Sequence, residues 1–130
     1  MKGLETAVEL LKKHEVRWVL SAFVDIRGLI QDVVIPAKLY MNGDAFTDGI
    51  GFDGSSIRGF KTIEESDMIF MPDPKTLAII PWTSDANQKS AIVLGDIYEA
   101  YGGKEPSEVD PRGYVAKRAV KAAEEVGYSS

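Results

Sequence analysis

Two apolar, β-branched-rich runs separated by four residues constrain this chain more than anything else in it. VRWVLSAFV (16–24) and LIQDVVI (29–35) are joined by Asp25, Ile26, Arg27 and Gly28. Runs of this composition read as strands, and so short a connection makes them an antiparallel hairpin. Pro36 ends the second run, because proline has no N–H to give to a ladder. Three more apolar runs follow: MIFM (68–71), LAIIPW (77–82) and SAIVLGDIY (90–98). The PDPKT segment between the first two of these supplies turn chemistry.

Two segments carry the helical period instead. Over 3–14, Leu4, Ala7, Val8 and Leu11 fall on one face, with Lys12, Lys13 and His14 in the last turn, where positive charge suits the helix dipole. Near the other end, Asp110 is a good N-cap and Pro111 a good N1 residue. Val115, Ala119, Ala122 and Val126 then share a face, and Gly127 stands at the C′ stop. The apolar residues on both helix faces are expected in the core. Trp18 and Trp82 are expected to be core or interface residues. The lone His14 reads as a surface or capping group rather than a metal ligand.

Residues 41–61 differ: Gly43, Gly49, Gly51, Gly54 and Gly59 are interspersed with Asp and Ser. They read as a loop region with a short strand at Ile50–Phe52. Residues 100–110 read as a surface loop, with Gly102 and Gly103 flexible rather than phosphate-binding, since no GK[ST] follows. The layout is helix, two strands, long loop, two or three strands, helix. That is an α+β domain with a mainly hairpin-built sheet.

The chain's 130 residues suit one domain. Its net charge of −5 comes with scattered Lys and Arg, so no basic stripe offers itself to nucleic acid. It has no cysteine, which removes disulfides and thiolate metal sites and fits a cytoplasmic setting. No apolar run approaches the ~20 residues that span a bilayer, and the start lacks a signal-peptide core.

The chemically suggestive stretch is Phe52-Asp53-Gly54-Ser55-Ser56-Ile57-Arg58-Gly59-Phe60, followed by Glu64-Glu65-Ser66-Asp67-Met68 and Met71-Pro72-Asp73-Pro74. Gly54 and Gly59 permit backbone conformations closed to other residues. Asp53 and Ser56 can hold a turn through nearby amides. Asp53, Glu64, Glu65 and Asp67 make a negative surface suited to a cation. Taken alone, such a segment is a turn beside a solvated acidic face, because spacing does not show the convergent oxygens of a metal site.

FDGSSIRGF, ESDM, MPDP and T-x-x-x-x-PW, in this order and spacing, resemble the amino-terminal domain of glutamine synthetase. The DIRG hairpin and the final DPR…AKRA helix match as well, so the resemblance covers about residues 3–128. It implies a β-grasp-like sheet with an N-terminal and a C-terminal helix, residues 1–130 forming that one domain with the catalytic domain absent. It also implies a parent that ligates ammonium to L-glutamate with ATP and two or three Mg2+ or Mn2+ ions. In that family the Asp-Gly-Ser-Ser loop completes the active site of a neighbouring subunit in a homo-oligomeric ring. Asp53 matches the carboxylate that binds ammonium and takes its proton, and Ser56 the loop serine beside it. Gly54, Ser55 and Gly59 match the loop-shaping positions, and Asp67 an acidic position near the ammonium or the subunit boundary. Phe60 stands where many bacterial members carry Trp.

The resemblance implies no metal ligand and no cofactor in this chain, which lacks the family's Glu-x-Glu motif, and hence an inactive fragment. A glutamate–amine ligase relative and a stand-alone interaction module are the competing readings; retention of Asp53 favours ammonium over bulky amines. A domain taken from a ring is also expected to expose apolar surface that its partners cover.

Overall fold

The computed structural model describes residues 2–25, 27–53, 67–83, 88–99 and 110–128, with the backbone alone at Lys2 and Asp53. Helix α1 (Lys2–Lys13) is followed by strands β1 (Trp18–Val24) and β2 (Ile30–Pro36). Short helices α2 (Lys38–Met41) and α3 (Asp44–Asp48) lead into β3 (Ile50–Asp53). Then come β4 (Asp67–Pro72), a 3-10 turn (Pro74–Thr76), β5 (Ala78–Ile79) and β6 (Ser90–Glu99). A π-helical segment (Pro111–Ala116) runs directly into α4 (Lys117–Glu125).

The sheet has the order β2-β1-β6-β4-β3, with β5 also on β6. The predicted hairpin is present, Leu20 facing Val34 and Val24 facing Ile30. Its turn is built on Asp25, which is fully buried. That carboxylate accepts the N–H groups of Arg27 (2.9 Å) and Leu29 (3.0 Å), the Gln31 amide (2.9 Å) and the Arg27 guanidinium (3.0 Å). Gly28, at φ 80°, completes it.

The hairpin-built expectation fails at the centre. There β1 and β6 are parallel, Trp18 beside Ser90 and Ala22 beside Leu94. Strand β6 is used twice. Its first half pairs β1 and β5, and its second half pairs β4 from Gly95↔Pro72 to Glu99↔Met68. Gly95 marks the changeover, for a Cβ there would lie 2.5 Å from the Met71 carbonyl and against the Phe70 ring.

The core lies between one sheet face and α1 to α3. Ala7 and Leu11 of α1 meet Val19, Phe23, Met68, Phe70, Ala91, Val93 and Ile97, with Tyr40 and Phe46 packed edge to face at 5.1 Å. The Tyr40 hydroxyl bonds Ser21 Oγ at 2.6 Å. Burial outweighs that bond and pushes the phenol up to about 12. Helix α1 ends as its sequence indicates, except that Glu15 takes the left-handed position at φ 53°, where glycine is usual.

Three further expectations need correction. Residues 41–48 are not simply loop, since α2 and α3 occupy part of that stretch and bury Tyr40, Ala45 and Phe46. Within LAIIPW the strand is only Ala78–Ile79, and Trp82, expected in the core or an interface, is 84 % exposed and so is not in the core. The Val115–Ala119–Ala122–Val126 face, which runs from the π-helical segment through α4 to its C-cap, is exposed throughout. Its amphipathicity identified a helix correctly but not what covers it.

Candidate functional site

Asp53 and Asp67 are register partners, the last pair of the antiparallel β3–β4 ladder. The pair before them, Phe52↔Met68, is anchored in the core: Met68 is buried, and Phe52 stacks against Phe23 with ring centroids 5.2 Å apart. Two apolar residues thus hold the backbone of two acidic positions, one residue inside the end of the ladder. Opposed residues of an antiparallel pair lie on one face of the sheet. In β4 Asp67 alternates with the buried Met68 and Phe70 and lies on the other face from them. Gly49, at φ 77°, lets β3 approach this closely, because a Cβ there would sit 2.5 Å from Ile69 Cγ2.

Of the residues singled out in the sequence, Asp53 and Asp67 are therefore brought together. Asp67 is exposed at the strand end. Ser56, Gly54, Ser55 and Gly59 lie outside the described residues, as do Glu64 and Glu65. Among the described residues, no group of three or more His, Cys, Asp or Glu is placed to hold a metal ion.

A second charged cluster, unforeseen in the sequence, fastens the π-helical segment to β6. Arg112 bridges Asp96 (2.5 Å) and Asp73 (3.0 Å), and Lys117 pairs with the other oxygen of Asp96. Behind them Asp110 is fully buried; its Oδ2 accepts the N–H groups of Ile97 and Gly113, while its Oδ1 has no partner among the described residues. Burial pushes the Asp110 carboxyl up, and the Asp96 charge adds to this against the opposing N–H bonds. The D-P-R triplet was readable as a cap. Its link to Asp96 and Asp73, 16 and 39 residues away, had no local signal.

The fold has a counterpart among known proteins. The family model described as glutamine synthetase, beta-Grasp domain, matches residues 15–100. The chain belongs to the glutamine synthetase β-grasp family. It is 57 % identical over 118 residues to the glutamine synthetase of Archaeoglobus fulgidus, covering 91 % of this chain and 24 % of that protein. Against the Thermotoga maritima glutamine synthetase the identity is 40 % over 126 residues, with 97 % and 27 % covered. A solved Plasmodium falciparum glutamine synthetase superposes with a TM-score of 0.78 at 21 % identity, covering 95 % of this chain and 23 % of that one. At that identity the likeness speaks for the fold alone. The α+β, β-grasp expectation holds. The chain spans about a quarter of the length of these glutamine synthetases. No helix among the described residues is long and apolar enough to cross a membrane.

Proposed function

We propose that this chain is the amino-terminal part of a cytoplasmic glutamine synthetase, the ATP-dependent ligase that joins ammonium to the side-chain carboxyl of L-glutamate. The observation that carries this reading is the family match over residues 15–100, joined to a span of about a quarter of the relatives' length. The Asp53↔Asp67 register supports it further, because it sets the two acidic positions the resemblance singles out directly opposite each other.

On this reading Asp53 carries the chemistry that belongs to the chain. Its carboxylate attracts the ammonium cation and takes one N–H proton. The freed lone pair of ammonia then attacks the activated acyl carbon, and phosphate leaves. Ser56, Gly54, Ser55 and Gly59 keep the loop in shape, and Asp67 adds a second negative charge that concentrates cations locally. The loop serves the active site of a neighbouring subunit in a homo-oligomeric ring. ATP and Mg2+ or Mn2+ belong to the rest of the parent. This chain has no Glu-x-Glu motif and no phosphate-binding G-x-x-x-x-G-K-[ST] loop, so alone it is inactive.

Phosphate release from ATP, assayed with glutamate, ammonium and magnesium, tests both halves of the proposal. The chain alone is expected to release nothing above a blank. Asp53→Asn in the full-length parent is expected to lower the rate about 100-fold or more, within the range of one acid–base group. Mixing Asp53→Asn subunits with subunits disabled in their own nucleotide site should restore activity, because the loop acts on its neighbour. Release proportional to the concentration of the chain alone overturns the inactive-fragment reading, and failure of the mixed oligomers overturns the neighbour role.

A further inference from the structure

Phe23 and Phe52 stand on strands three places apart in the sheet, with β6 and β4 between them. In a flat sheet, three steps of about 4.8 Å would separate their side chains by roughly 14 Å. Their ring centroids are instead 5.2 Å apart, tilted by 32°, and the Phe70 ring of β4 lies 6.3 Å from the same Phe23 ring. The sheet therefore curls about Phe23, and rings from β1 and β3 meet across its concave face. The two ends of this contact are held unequally. Phe23 is 1 % exposed, its backbone is paired with Gln31 of β2, and it lies two residues before the buried Asp25 of the turn. Phe52 is half-buried on β3, a four-residue strand at the end of the sheet order whose ladder runs along β4. So short an edge strand is weakly held by its backbone alone. Ile50 and Phe52 seat it against the core, and Phe52 is the chain neighbour of Asp53.

We infer that Phe23, acting through Phe52, is a positioning residue that fixes where β3 presents the Asp53 backbone; this rests on the reading of Asp53 as the carboxylate that binds ammonium. A carboxylate that draws in a cation and takes its proton works only within hydrogen-bond reach of that nitrogen, about 2.6–3.2 Å. Displacing such a group by about 1 Å can cost on the order of 100-fold in rate. The Phe23–Phe52 pair stabilises beyond the area it buries, as tilted aromatic pairs do. With Leu at position 23, β3 keeps its ladder to β4 and its register, but the ring that anchors Phe52 is gone. The strand then gains freedom at its Asp53 end. The contact thus joins the Asp25 turn mechanically to the candidate site, although β6 and β4 lie between their strands.

Amide hydrogen exchange on the 130-residue chain tests the strut without any chemistry. Phe23→Leu is expected to speed exchange along β3 roughly three- to tenfold relative to β2, the range of one aromatic pair. Val19→Ala opens the core four residues earlier in the same strand. It is expected to lower the melting temperature without that selective change. Rates in the full-length parent give the second readout, with ammonium and hydroxylamine compared as nucleophiles. Hydroxylamine is uncharged at neutral pH, so it attacks without first being drawn in as a cation or losing a proton. Phe23→Leu and Phe52→Leu are expected to lower kcat/KM for ammonium about tenfold and that for hydroxylamine less than about threefold, the same bias as Asp53→Asn. Equal losses with the two amines in the Phe variants, or β3 exchange no more selective than in Val19→Ala, overturn the inference, because Phe23 is then a core residue only. Failure of Asp53→Asn itself to discriminate the amines overturns the reading beneath it and takes the positioning role with it, whatever the exchange of β3.

Discussion

Asp110 Oδ2 accepts the backbone N–H of Ile97 at 2.8 Å and that of Gly113 at 3.1 Å, so one buried oxygen caps the final helical segment and ties it to β6. Replacing Asp110 by Ala leaves both donors buried and unpaired. The expected cost is about 2–4 kcal/mol, from a lost cap and two lost hydrogen bonds. Urea denaturation measures it. Asp110→Asn retains an acceptor oxygen and is expected to cost less than half as much. The pH dependence is equally specific. The folded chain binds the Asp110 proton more tightly than the unfolded chain, whose carboxyl stays near 3.8. The stability this adds is full below 3.8 and is lost as pH rises through the raised folded value. Acidification should therefore favour the parent chain over Asp110→Asn.

Asp25 titrates in the opposite sense. Burial would push its carboxyl up, but the bonds from Gln31, Leu29 and Arg27 outweigh burial and hold it at about 2. Stability from this group is present above 3.8 and lost as pH falls toward 2. Denaturation midpoints at pH 5 and near pH 2 should converge between the parent and Asp25→Asn, with the parent losing more. Equal losses in the two proteins would remove Asp25 as the organiser of the β1–β2 turn.

Gly95→Ala forces a methyl group against the Phe70 ring and the Met71 carbonyl. Overpacking against backbone is expected to cost about 2–3 kcal/mol. Gly51→Ala is the matched control, because a Cβ there meets nothing within 4 Å. It is expected to shift the denaturation midpoint by less than about 0.5 kcal/mol.

Glu15→Gly is expected to stabilise the chain. Glu15 sits at φ 53° at the end of α1, where an L side chain is strained. Its N–H bonds the Lys12 carbonyl and that of Val16 the Leu11 carbonyl, the pattern that glycine usually completes. Relief of strain, less the added freedom of the unfolded chain, leaves a gain of about 0.5–1 kcal/mol, read as a higher melting temperature.

What was legible in the sequence was local. The DIRG hairpin, the apolar stripe of α1, the Asp110 cap and the Gly127 stop each depend on residues within a few positions of one another. The last is realised at φ 97°, with Tyr128 N–H on the Ala123 carbonyl. The parallel β1–β6 pairing was not legible, because it joins residues about seventy positions apart and no local pattern specifies a distant partner. Helices α2 and α3 have four and five residues, too few to display a period. At the candidate site, Asp53 and Asp67 were both nameable from the motif. Their opposition is set by the Phe52↔Met68 pair, whose register sequence spacing does not reveal. The Asp96–Arg112–Asp73 clamp escaped for the same reason: three unremarkable charges become a unit only once β6 is in place.

Among the described residues β6 is the last strand in chain order and the only one hydrogen-bonded into both halves of the sheet. A nascent chain shorter than Glu99 holds two separate ribbons, β1–β2 and β3–β4, with no strand to join them. Two-stranded ribbons are marginal in water. The ribosome must therefore release nearly the whole of this region before a stable sheet exists, and the acidic pair at its edge takes shape only then.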